Sequence, residues 1–281
     1  MGKFILRVCV FLVVSAFIAG GLARGVFAGI IMEQVRYEKG SSEKDKGKIF
    51  ISNNKVKFVQ NGTDEVTILD LNTGEMTRID TKNKRFFVAK PEEIFKTTQD
   101  AIARAKAQME EQLSKLPPEQ RAKVEEMMKS HGIKQPGASE PENLTLKAIG
   151  ASEDIAGYKS QKFEVYGNGK LREEIWTSKD VVPGNEFDSK KMANYMKEME
   201  RMVSKANPAK EEAGSGLDEQ TKIYNQIYET GFPMRSVDYS SNGSASIEEV
   251  VSVTKADVPD KEFQPPAGFA KVTLQQMMSS E

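Results

Sequence analysis

After residue 28, apolar and polar positions alternate in short runs. At Pro91 they switch to a spacing of three to four, and past residue 143 they return to alternation. Over 29–90, turn signals recur every eight to twelve residues, which predicts an antiparallel meander of five or six strands. IIMEQVRY opens it. KIFIS and KVKFVQ join at Asn53-Asn54, a pair that tolerates the positive φ of a tight turn. VTILDLN and EMTRID meet around Thr73-Gly74, and Lys82-Asn83 leads into KRFFVAK. Val56 and Phe58 alternate with Lys55 and Lys57, so one face of this sheet is predicted apolar and the other wet.

From Pro91, the residues Phe95, Thr98, Ile102, Ala105, Met109 and Leu113 keep helical spacing, with proline in the first turn. Pro117-Pro118 ends this helix. A second one, carrying Val124, Met127 and Met128, runs to Gly132 and completes a helical hairpin inserted between strands. After the connector QPGASEPEN come LTLKAIG, KSQKFEVYG and KLREEIWTS, the last two parted by Gly167-Asn168-Gly169. Gln161, Phe163 and Val165 share one face of the middle run. MANYMKEMERMVSK then predicts an amphipathic helix, with Met192, Tyr195, Met196, Met199, Met202 and Val203 on one side and Lys191, Lys197, Glu198 and Arg201 on the other. A helix over 217–229, stopped by Gly231, precedes two strands that meet at Asn242-Gly243. The pattern is α+β, with about 10–11 antiparallel strands in a single domain, 29–281, and helical insertions at about 91–132 and 188–230.

The leader changes the context. Lys3 and Arg7 precede an apolar run over 8–23 and then Val26-Phe27-Ala28, the layout of a secretory signal peptide cleaved before Gly29. An uncleaved anchor is the alternative, but the run has 16 residues, short of the roughly 20 a spanning helix needs. The expectation is an exported protein of the periplasm or cell envelope. Cys9 leaves with the leader, so the core has to form without disulfides. Removing Lys3, Arg7 and Arg24 from the 40 basic residues leaves 37 against 41 acidic ones, a net charge of −4, which argues against a nucleic-acid partner.

Candidate chemistry is sparse. His131 is the one histidine, placed in the last turn of a helix. With no second histidine and no cysteine after the leader, nucleophilic triads and transition-metal sites are hard to build. Glu173-Glu174 and Glu248-Glu249 are neighbours in strands, so the two members of each pair point to opposite faces and do not converge on one atom. The reading is a non-enzymatic protein without a cofactor or metal.

Three segments, DIAGYKSQKFEVY at 154–166, EIWTSKD at 174–180 and VPDKEFQPPAGFAKV at 258–272, resemble an uncharacterised family of secreted bacterial proteins. The fold of that family is similar to the LolA/LolB lipoprotein-localisation half-barrel. In these segments Gly157 allows a sharp turn, Trp176 is a large apolar anchor, and Pro259 begins a one-turn helix that lets Phe263 dock. The resemblance implies a strongly curved antiparallel sheet whose concave apolar face is covered by helices. In LolA-like relatives that cavity receives acyl chains or other lipid.

Two readings of the methionine helix follow. As a lid over a cavity it would serve a carrier or sensor of lipid, acyl chains or a lipoprotein, because flexible side chains repack around varied occupants. The residues expected to line that cavity are Val56, Phe58, Phe163, Val165, Val251 and Val253 from strands, with Met192, Met196 and Met199 from the lid. As plain core, the same helix would leave an envelope adaptor that binds a protein partner through the helical hairpin, with Ile102, Met109, Met127 and Met128 as lid or partner-facing residues. Large lid residues reaching the sheet floor favour the second reading, and a continuous void favours the first.

Overall fold

The computed structural model describes residues 29–115, 117, 143–182, 184–205, 216–240 and 243–278. The expected leader and the second helix of the hairpin, with Met127, Met128 and His131, lie outside these residues. So do the side chains of Ile102, Met109, Met202 and Val203, although their backbones are described as helix.

Twelve strands form one sheet: β1 Ile30–Glu38, β2 Asp45–Ser52, β3 Lys55–Gln60, β4 Glu65–Asp70, β5 Glu75–Asp80, β6 Arg85–Ala89, β7 Leu144–Ile155, β8 Tyr158–Gly167, β9 Lys170–Ser178, β10 Phe232–Tyr239, β11 Ala245–Lys255 and β12 Ala270–Lys271. Their order is β12-β6-β5-β4-β3-β2-β1-β11-β10-β9-β8-β7, so the sheet is open and ends at β12 and β7. Neighbours are antiparallel except β12, which runs parallel to β6. This two-residue strand is the one beyond the expected ten or eleven, and it is too short to leave a periodic signal. The helices are α1 Pro91–Ser114, α2 Ser189–Lys205, α3 Gly216–Thr230 and a short α4 Leu274–Met278, with one 3-10 turn at Asp260–Phe263.

Local chemistry explains the element ends. Asn53 and Asn54 take φ of 52° and 61° in the β2–β3 turn, as their side chains permit. Pro91 opens α1, and the Glu93 carboxylate accepts the Lys90 N–H at 3.2 Å. Gly231 ends α3 at φ 140°, in a place where an added Cβ would stand 2.5 Å from the Ser178 carbonyl. The chain turns there because no side chain intervenes.

The β1–β11 pairing joins two meanders into one sheet, with Met32 opposite Val253. A buried cluster takes in Ile30, Met32, Ile49, Ile51, Val56, Phe58, Leu69, Met234 and Val250 from β1–β4, β10 and β11, and continues to Ile155 at the end of β7. Beside it, Ile223 and Ile227 of α3 bury Val165 and Ile175, and Ile94 of α1 meets Phe87, Ala89 and Met277.

The opposite face is not uniformly wet, as Lys55 and Lys57 had suggested. Over β1–β6 the C-terminal segment crosses it and buries Val258 and Phe263 against Ile68 and Ile79, with Ile31, Phe50, Val66, Phe86 and Phe269 packed around them. Lys55 and Lys57 pair with Asp260 at 2.9 Å and Glu262 at 3.0 Å, so charges that looked solvated clamp this strap instead. Trp176 alternates with the buried Ile175 and Thr177, is half-buried, packs against the main hydrophobic cluster and lies between Lys162 and Arg235.

Candidate functional site

Helix α2 and the floor beneath it make up the candidate site. The helix is held at its start by hydrogen bonds from two turns. Asp188 caps it, its Oδ1 accepting the N–H groups of Lys190 at 2.9 Å and Lys191 at 3.2 Å. The Asp188 N–H in turn donates to Asn54 Oδ1 at 2.7 Å, and the Asn53 N–H donates to the buried Glu186 carboxylate at 3.1 Å. On the other side Lys191 Nζ donates to Asn72 Oδ1 at 2.7 Å, and Asn72 Nδ2 donates to the Asn53 carbonyl at 2.8 Å. The β2–β3 and β4–β5 turns therefore grip one end of the helix.

Past this clamp the apolar side of α2 faces the sheet. Met192, Tyr195 and Met199 are buried in the same cluster as Val56, Phe58, Ile49, Met32 and Met234, with Met196 and Val253 packed against it. Phe187, just ahead of the helix, meets Phe232 edge to face at 5.6 Å between ring centres and Tyr228 at 6.5 Å. The lid residues thus reach the floor.

The expected residues divide as follows. Val56, Phe58, Met192 and Met199 come together, and Met196 and Val253 flank them. Val165 belongs to the neighbouring cluster under α3, and Phe163 is buried opposite Ile175. Val251 is a correction. The register slips between Glu33 and Gln34, so Glu33 faces Ser252 while Gln34 faces Val250, and Val251 is left without a partner. The fully buried Val250 takes the inner place instead. Strict alternation cannot foresee such a bulge.

Three buried oxygens within the described residues lack a hydrogen-bond partner: Gln34 Oε1, Asn225 Oδ1 and the Tyr195 hydroxyl. Burial holds the Tyr195 phenol well above its usual range, so its proton stays on. By contrast the Tyr224 hydroxyl donates to Glu173 at 2.9 Å on the inner face, whereas Glu174 accepts from Lys162 and Tyr239 on the outer one. The two carboxylates do point apart.

A groove of about 310 Å³ opens beside α2, lined by Leu71, Thr73, Lys90, Glu92, Lys191 and Tyr195 among others. None of the expected lining residues borders it. The clamp and this groove escaped the sequence reading, although Asp188 ahead of a helix and the Asn53-Asn54 pair were visible signals. Among the described residues no group of His, Cys, Asp and Glu could hold a metal ion, and no helix is long and apolar enough to cross a membrane.

The fold and site together define a large, open, mostly antiparallel sheet with helices packed on part of its inner face. The chain belongs to the family described as Domain of unknown function (DUF4412), whose model matches residues 65–269. Sequence comparison with curated proteins returns no match. Among solved structures the chain is similar to the Pseudomonas aeruginosa MucA/MucB complex, at 11% identity and TM-score 0.36, over 88% of this chain and 58% of that one. The chain thus spans under two thirds of that relative. It is also similar to a LolA superfamily protein from Nitrosomonas europaea, at 8% identity and TM-score 0.28, over 86% of this chain and 92% of that one. A third is a DUF1329 family protein from Desulfovibrio piger, at 8% identity and TM-score 0.21, over 85% of this chain and 90% of that one.

Proposed function

We propose that this is an exported, non-enzymatic binding protein of the cell envelope, and that its partner is a protein rather than an acyl chain. One observation carries the reading: Met192, Tyr195 and Met199 are packed onto the strand residues that would otherwise line a lipid cavity. Exposing three such side chains costs roughly 5–9 kcal/mol. A lipid would have to recover that much before gaining any affinity. The inner face then acts as the rigid core of an adaptor, and recognition falls to its outer surfaces and edges.

A second reading keeps α2 as a displaceable lid over an acyl-binding face. It is favoured by the unpartnered Tyr195 hydroxyl and by methionines at the seat, both of which lower the cost of opening.

Native mass spectrometry of the protein purified from its own envelope, followed by titration with a fluorescent fatty acid, separates the two. The adaptor gives the mass of the chain alone and no saturable uptake. Lipid-sized added mass, or uptake abolished by the double substitution Met196→Glu and Met199→Glu, overturns it in favour of the lid.

A further inference from the structure

Methionine is concentrated beneath α2. Met32, Met192, Met199 and Met234 are buried in the main cluster, and Met76 and Met196 pack against it. Thioethers from the helix and from the sheet thus share one apolar body. Core filling accounts poorly for the two on strands. The fully buried floor positions around them, Ile30, Ile49, Ile51, Val56 and Val250, carry β-branched side chains, as a pleated sheet prefers. Met32 and Met234 interrupt that series, each at 0% exposure.

Their placement suits a shared ligand. On the helix, Met196 follows Met192 by four residues and precedes Met199 by three, separations that make side chains neighbours with Cβ atoms about 5–6 Å apart. On the floor, β1 and β10 flank β11, so Met32 and Met234 stand two strand spacings apart, roughly 10 Å. Their long unbranched side chains span such a gap. Met196 is only partly buried, which gives a small ion a way in while the helix stays seated. The buried Tyr195 hydroxyl, in the same cluster, lacks a partner, so its oxygen is free to turn toward a positive charge.

We propose that the methionines beneath α2 form a site for one soft monovalent cation of the Cu(I) class, with Met196 and Met199 as its helix ligands and Met32 and Met234 as its floor ligands. Thioether sulfur is a soft, neutral donor that selects Cu(I), whereas Mg(II) and Ca(II) demand oxygen. The surroundings also favour a single charge, because the cost of burying an ion rises with the square of its charge. Neither histidine nor cysteine occurs among the described residues, so sulfur from methionine is the soft ligand they offer. The sequence reading of no metal site considered imidazole, thiolate and carboxylate ligands, and thioethers fall outside that set. Binding changes no oxidation state: the ion sheds its solvent ligands and the four sulfurs replace them. The inference goes beyond the protein-binding reading above and does not depend on it.

The test is an anaerobic titration of the expected mature chain, residues 29–281, with Cu(I) against the coloured competitor bicinchoninate, followed by native mass spectrometry. One copper per chain is expected, and Zn(II) should not bind. Leucine replaces methionine in cores at little cost, so the double substitution Met196→Leu and Met199→Leu should keep the circular dichroism and the urea midpoint while weakening Cu(I) at least tenfold. Met127→Leu with Met128→Leu should leave the affinity unchanged. X-ray absorption at the copper edge of the unsubstituted protein needs no variant to fold, and it should show a shell dominated by sulfur. Failure to take copper from the competitor, equal uptake of Zn(II), or full affinity after substitution of Met196 and Met199 overturns the assignment. So does loss of binding on substitution of Met127 and Met128, or a copper shell dominated by nitrogen and oxygen.

Discussion

The guanidinium of Arg235 sits 5.2 Å from the centre of the Trp176 ring. It donates two hydrogen bonds to Glu153, at 2.6 and 3.0 Å, and one to Glu249 at 2.8 Å. Lys162 is 5.2 Å from the same ring and bonds Glu174 and Glu164. One tryptophan thus organises a lattice that ties β7 to β10 across the outer face of β8 and β9. A lysine cannot reproduce the planar fork. Arg235→Lys should lower stability by about 1 kcal/mol in urea unfolding, and a double-mutant cycle with Glu153→Gln should show coupling of about 0.5 kcal/mol or more. Strict additivity would mean that the fork is decoration.

Tyr195 offers a substitution expected to stabilise. Its hydroxyl is buried without a partner, and a buried polar group left unsatisfied costs about 1–3 kcal/mol. Tyr195→Phe keeps the ring and removes the liability, so a gain of about 1 kcal/mol is expected. A loss measured by chemical denaturation would mean that the hydroxyl has a partner in solution.

Gly231 is expected to tolerate no side chain. Its φ of 140° and the 2.5 Å approach to the Ser178 carbonyl mean that Gly231→Ala must shift the end of α3 or the end of β9. The expected cost is roughly 3 kcal/mol or more, seen as a large drop in the urea midpoint. The exposed Gly62, with nothing within 4 Å of an added Cβ but a φ of 80°, should cost only about 1 kcal/mol on the same change.

Acid should weaken the β5–β6 turn. Burial works against the charged form of Asp80, but hydrogen bonds from the Asn83 side chain and backbone and from Arg85, together with the Arg85 charge, outweigh it. They pull its pKa from 3.8 to about 2. A depressed carboxylate contributes stability above its unfolded pKa and loses it as pH falls through the folded value. The loss therefore lies between about pH 4 and pH 2. Glu153 is shifted the same way by its hydrogen bonds from Arg235. Asp80→Asn should flatten this part of the stability profile by less than about 1 kcal/mol, and an unchanged acid limb would remove Asp80 from the account.

Much of the architecture was legible because alternation is a local property. Met32, Ile49, Val56 and Phe58 point inward for the same reason that their neighbours point out. Asn53-Asn54 and Gly231 mark turns through their own backbone preferences. What stayed hidden depended on distant chain. The bulge that exchanges Val251 for Val250 arises between β1 and β11, over 200 residues apart in sequence. The strap that covers Lys55 and Lys57 comes from Asp260 and Glu262, and no periodicity within β3 encodes it.

By itself, then, the sequence determined most of the strands and the amphipathic character of α2, since each depends on which neighbours within a few residues share a face. Whether that methionine face would close over a hollow or fill it was decided by the tertiary structure. The answer depends on how far the sheet bends and how deep Met192, Tyr195 and Met199 reach, and a helical period carries no information about the volume on its other side.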